Sequence, residues 1–188
     1  MTRYRIIVAA SLLTLFWASA GMSTDWTINL EKSRLGFVAT FEGVEFDGVF
    51  KKFAGTVRFE PESLPASAFD IAVDVTSADT GSSDLNEGMA LPDWFHFSRY
   101  PSATFVSSSI EKTTDTEYLA VGTLDVKGVR RSVRLPFRWQ RSGDDARIIG
   151  DTALKRTQFN LGEGDWADVN VIGDSVRVWA DLYLKRAP

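Results

Sequence analysis

Three stretches of this chain alternate apolar and polar residues with a period of two, and that pattern restricts the fold more than any other feature. Between Ser175 and Arg186, the residues Val176, Val178, Ala180, Leu182 and Leu184 share one face, and Arg177, Trp179, Asp181, Tyr183 and Lys185 share the other. Between Arg130 and Arg141, Val133, Leu135, Phe137 and Trp139 alternate with Ser132, Arg134, Pro136 and Arg138. Between Phe69 and Ser77, Phe69, Ile71, Val73 and Val75 oppose Asp70, Ala72, Asp74 and Thr76. A period of two is that of a strand with one buried face. Further strands are predicted at Trp26–Leu30, Ser33–Phe41, Phe46–Phe59, Ala103–Lys112, Glu117–Val126 and Arg147–Leu154, with bends or bulges allowed at Asp47-Gly48 and Gly55. Pro136 lacks a donor and suggests an edge or bulge.

About eight such strands joined by short polar or glycine-marked turns make an antiparallel meander, either a sandwich or an up-and-down barrel. The strands are long for a sandwich, about 30 Å at roughly 3.3 Å per residue. The chain also carries 13 Phe and 6 Trp. Both features favour a barrel, and eight strands close around a space about wide enough for one slender ligand. A membrane barrel needs an apolar outer face. Here the faces opposite the apolar rows carry Asp70, Asp74, Arg134, Arg138, Arg177, Asp181 and Lys185.

The alternation stops between Asp79 and Phe105. Met89, Leu91, Trp94, Phe95, Phe97 and Tyr100 crowd together there with acids, two prolines and the only histidine. Ser83, Asp84 or Asn86 could cap a short helix, and Pro92 would end it. An apolar insertion of this kind should sit against an opening of the barrel. A second interruption, residues 155–174, contains LGEGDW (161–166), whose Trp166 is expected to cover the barrel mouth.

Residues 1–20 read as a secretory leader: Arg3 and Arg5, an apolar run from Ile6 to Trp17, then Ala18-Ser19-Ala20 as a cleavage signal. The mature domain would be residues 21–188, in the periplasm. Losing the two arginines takes the formal net charge from −4 to −6, which argues against a nucleic-acid partner. With no Cys, there is neither a disulfide nor a thiol nucleophile.

Three stretches carry a further signal: SRLGFVATFEGVEFDGVFKKFAGTVRF (33–59), with Phe46, Gly48, Phe50, Phe53 and Gly55 in rhythm; DWFHFSRYPSATFVSSSI (93–110); and GTLDVKGVRRSVRLPF (122–137). In this order they resemble the YceI-like family of polyisoprenoid-binding proteins. The resemblance implies an eight-stranded antiparallel lipocalin-like barrel with a short helical insertion. It further implies a periplasmic carrier holding a polyisoprenoid or isoprenoid-quinone-like lipid in an apolar pore, without catalysis and without a covalently bound cofactor. A cytochrome b561-type membrane protein is implied as a partner, and a homodimer stays open. The chain departs from the family pattern at Phe41-Glu42-Gly43, at Asp84–Met89 and at His96, where histidine or basic members are lost or an acid is replaced. Those departures imply a different or less charged headgroup.

The expected ligand-binding residues are Phe37, Phe41, Phe46, Phe50, Met89, Trp94, Phe95, Tyr100, Phe105 and Phe159. From composition alone these could equally fill the core, since inward residues of small barrels usually pack. His96, Lys155 and Arg156 are candidate headgroup contacts; the two cations also read as solvated charges at a strand end. His96 with Asp84, Glu87 and Asp93 could in principle hold a metal or work as an acid–base pair. One histidine without tight ligand spacing reads instead as a rim residue, so no metal and no catalytic residue is assigned. The alternatives to the carrier are an enzyme acting on a bound lipid through a metal or His96, and a stress-response structural module with a full core.

Overall fold

The computed structural model describes residues 23–188; the leader predicted at residues 1–20 lies outside them. The strands are β1 (Asp25–Ile28), β2 (Arg34–Phe41), β3 (Val44–Phe50), β4 (Phe53–Arg58), β5 (Ala68–Asp74), β6 (Ala78–Asp79), β7 (Ser102–Lys112), β8 (Glu117–Val126), β9 (Val129–Ser142), β10 (Asp145–Lys155) and β11 (Ser175–Arg186). The ring β1-β4-β5-β7-β8-β9-β10-β11 closes through antiparallel pairing of β1 with β11, so eight strands form a barrel. β2, β3 and β6 continue that wall upward from β11. Each is the prolongation of a broken strand: β2 of β1, β3 of β4, and β6 of β5.

The breaks have local causes. Between β1 and β2 the chain bulges out and is pinned on Tyr183. Asn29 donates its N–H to the Tyr183 carbonyl at 2.8 Å, and buried Ser33 accepts from the Tyr183 N–H at 2.9 Å. β3 and β4 part at Lys51-Lys52, opposite a 3₁₀ turn at Val75–Ser77 capped by Asp74. The bend is therefore not at Asp47-Gly48 or Gly55, where the sequence allowed it; the ladders run straight through both. The β2–β3 and β8–β9 hairpins have two-residue loops, Glu42-Gly43 and Lys127-Gly128. All four residues have positive φ, the requirement of the type I′ turn that matches strand twist.

Because the meander runs up and down, the connections alternate between the two ends. The long interruptions after β6 and after β10 therefore fall at the same end, with the two tight hairpins. The other end holds both ends of the described chain, where Ala187 donates to the Asp25 carbonyl at 2.9 Å.

The inward rows are those the alternation indicated, but the interior is filled unevenly. At the end holding both chain ends, Trp26 of β1, Phe59 just past β4, Tyr118 of β8 and Trp139 of β9 meet. Phe59 is fully buried, with ring centroids 4.7 Å from Trp139, 5.0 Å from Tyr118 and 5.5 Å from Phe137. Trp26 Nε1–H donates to the Phe59 carbonyl at 2.9 Å, so the buried indole is satisfied. The Arg141 guanidinium covers Trp26 from outside and pairs with Glu60. This cluster is the floor of the barrel.

Candidate functional site: an apolar cavity under a two-part lid

Above the floor the barrel is hollow. A cavity of about 440 Å³ runs from Phe53, Val57 and Phe69 up to the insertions at the other end. Two rings on its wall show why the space stays open. The Phe37 ring lies over Gly48, where an added Cβ would come within 2.4 Å of it. The Phe105 ring lies over Gly122, with 2.6 Å left for a Cβ. Without a side chain on the neighbouring strand, each ring lies along the wall and not across the lumen. The polar side chains on the wall are Asp84, Asp151, Thr152 and Arg156.

The lid has two parts. The first is α1 (Ser83–Met89) and the turns that follow it. Its cap is Ser82, which accepts from the Leu85 N–H at 3.5 Å; the predicted caps Ser83, Asp84 and Asn86 do not serve. Asn86 is turned back, accepting from the Thr80 N–H at 2.9 Å and donating to Asp79 at 3.2 Å. The helix stops before Pro92, as a ring that disfavours helix at the preceding residue requires. Asp79 joins this foot of the lid to the barrel. It accepts from the Gly81 N–H at 2.9 Å and pairs with Lys51. The hydrogen bond from Lys51, then those from Gly81 and Asn86, hold its carboxyl down at about 2.

The second part is residues 156–174, organised by Arg156. Only 3% of Arg156 is exposed. Its Nη1 donates to the carbonyls of Leu161 at 2.8 Å and Gly162 at 2.9 Å. Its Nη2 donates to those of Trp166 and Ile172, each at 2.9 Å, and its Nε donates to those of Ile172 and Gly173. Burial lowers the pKa of this guanidinium from its ordinary value, partly opposed by Asp174. The two parts meet where the Gly162 N–H donates to the Asp93 carbonyl at 2.7 Å. There the Trp94 and Trp166 rings stand 6.4 Å apart and Arg156 lies 5.7 Å from the Trp94 ring.

Nine of the ten residues expected to bind ligand stand on the cavity wall: Phe37, Phe41, Phe46, Phe50, Met89, Trp94, Phe95, Phe105 and Phe159. Tyr100 does not. It packs on Gly128 and lies 6.0 Å from the His96 ring. The headgroup candidates do not converge. His96 sits off the cavity in a left-handed turn (φ 52°), its carbonyl accepting from Arg99 and Tyr100. Lys155 is exposed on the outer face. Arg156 reaches the wall, but its five N–H groups are all committed to backbone carbonyls, so it builds the lid and has none left for a ligand. Among the described residues no group of three or more His, Asp or Glu side chains is placed to hold a metal. The expected set, made of aromatics and Met89, missed Ile148, Val178 and Leu182, which line the wall from the later strands; their signal was the inward row itself.

A closed eight-stranded antiparallel barrel, filled at one end and hollow and apolar at the other, defines a ligand-sized β-barrel of the lipocalin-like type. The model of the YceI-like domain matches residues 26–184, and the chain belongs to that family. It is 28% identical over 156 residues to Protein YceI of Escherichia coli O157:H7, covering 78% of this chain and 81% of that protein. The structure of BcnA from Burkholderia cenocepacia is 33% identical, with a TM-score of 0.80, covering 83% of this chain and 98% of BcnA. A polyisoprenoid-binding domain from Saccharophagus degradans shares the fold at 20% identity and a TM-score of 0.70, covering 86% and 98%.

Proposed function

We propose that this protein is a periplasmic binding and carrier protein that shields a polyisoprenoid or quinone-like lipid in its barrel. The observation that carries the reading is the apolar cavity itself, kept open by Phe37 over Gly48 and Phe105 over Gly122. A chain free to fill its core has no need to lay two rings against glycines. The polyisoprenoid-binding relative supports the ligand class, and the leader read from residues 1–20 supports the compartment.

The energetics allow it. Burying a methylene contributes roughly 0.8 kcal/mol, so one five-carbon isoprene unit contributes at most about 4 kcal/mol. Micromolar affinity needs about 8 kcal/mol net of association costs. A few buried units suffice when the cavity is preformed. With Arg156 spent on lid structure and the other headgroup candidates not converging on the cavity, this reading has the bound lipid held and not transformed.

The test is native mass spectrometry of the protein purified from its own periplasm, followed by extraction and identification of what is released. The expected result is a stoichiometric isoprenoid or quinone. A bare protein that also refuses added isoprenoids would overturn the reading in favour of a structural module.

A further inference from the structure

The ladder of the barrel wall is interrupted between β9 and β10; at the mouth, β6 also lacks a partner on the side away from β3. β10 pairs with β11 along its whole length, from Asp145 to Lys155. Its ladder with β9 ends at Gly150 opposite Phe137. The next residue on β9 is Pro136, which has no N–H to offer. Beyond it, β9 keeps its pairing with β8 up to Val129, but β10 has left it. One side-chain hydrogen bond crosses the gap, from the Thr152 hydroxyl to the Arg134 carbonyl at 3.0 Å. Higher up, the 3₁₀ turn at Arg156–Phe159 packs back on β9 and bounds the slot.

The cavity reaches this slot. Pro136, Asp151 and Trp179 point outward by strand parity, and Pro136 and Asp151 are exposed, yet all three line it along with inward Leu135 and Thr152. The strand residues of outward parity that line the cavity all fall on β9, β10 and β11 beside this gap, as an opening through the wall there requires. The floor offers no other way down, since Trp26, Phe59, Tyr118 and Trp139 fill it.

The volume gives the slot a use. At roughly 30 Å³ for each water-sized group, a cavity of this size holds on the order of 15 carbons, about three isoprene units. We propose that the slot between β9 and β10 is a lateral exit for the tail of a long-chain isoprenoid, which leaves the lumen past Leu135 and Thr152 and emerges beside Pro136. The mouth is the poorer exit for a tail. Its loops (41–44, 79–102, 126–129 and 155–175) carry nine carboxylates against four cations, surroundings that suit a polar end. The slot thus removes the upper limit on chain length that the lumen alone would set. This inference rests on the reading of the cavity as an isoprenoid site.

Pro136 and Asp151 stand one step past the last ladder pair, so a disulfide between P136C and D151C lies across the opening. The chain has no other cysteine, and the reduced form of the same variant controls for folding. Binding of farnesol, with three isoprene units, and solanesol, with nine, is measured by native mass spectrometry on wild type and on both redox forms. Wild type and the reduced variant should hold both alcohols with dissociation constants within threefold. The oxidised variant should keep farnesol and lose solanesol at least tenfold. Equal retention of solanesol in the oxidised form, equal loss of both alcohols, or a wild type that takes farnesol alone would overturn the lateral exit. A wild type that takes neither would overturn the carrier reading itself.

Discussion

Arg156→Met keeps the length and apolar stem of the side chain and deletes its five donors. The carbonyls of Gly162 and Ile172 that it serves are buried. Left unsatisfied, each costs about 1–3 kcal/mol. The charge-assisted bonds to Leu161, Trp166 and Gly173 are lost as well, but those carbonyls are nearer to water. In the other direction, the chain no longer has to desolvate a cation. The balance is a loss of about 2–4 kcal/mol, which for a domain of this size lowers the melting temperature by about 10 °C. The urea midpoint should fall with the slope unchanged, as for a native-state defect. Arg156→Lys, a point charge with three donors, should recover only part of the loss. The readout is paired thermal and urea melts of the three proteins. A methionine variant melting within about 2 °C of wild type would refute the role of the guanidinium as organiser of the lid.

Gly48→Ala should push the Phe37 ring into the lumen and reduce isoprenoid capture severalfold, with thermal stability little changed; undiminished capture would show that the ring finds another resting place. Trp94→Ala and Phe95→Ala should each weaken lipid retention more than Arg177→Ala, which alters the outer face, and equal retention in all three would remove the lid from the binding account. Asp79 ionises at about 2 in the folded chain against 3.8 ordinarily, so its contribution is complete above pH 4 and fades as the pH falls towards 2. The difference in urea midpoint between wild type and Asp79→Asn should therefore be constant from pH 7 to 5 and close below pH 4; a difference that persists at pH 2 would place the contribution elsewhere.

The strands were legible because their rows are local. The alternation from Val176 to Leu184 or from Val133 to Trp139 needs no distant partner to read. The shared end of the two interruptions follows from the same meander, since an even number of crossings separates them. What escaped the sequence depends on several segments at once. The floor exists because Trp26, Phe59, Tyr118 and Trp139 arrive at one level from four separate segments. Nothing in the local pattern separates these aromatics from Phe37 or Phe105, which leave the lumen open. Arg156 read as a strand-end charge because its acceptors are carbonyls, which carry no side-chain signature. The β9–β10 gap had one visible trace, the missing donor of Pro136, but which neighbour would be lost could not be told from it.

Both ends of the described chain lie beside the aromatic floor, with Ala187 hydrogen-bonded to Asp25. Whatever is joined directly to either end of the described chain, whether a tag, a fusion partner or a surface linker, is therefore attached at the sealed base. Immobilised that way, the molecule stands upright with its lid turned to the solution, and a sensor or affinity matrix built on it would present the binding end without obstruction.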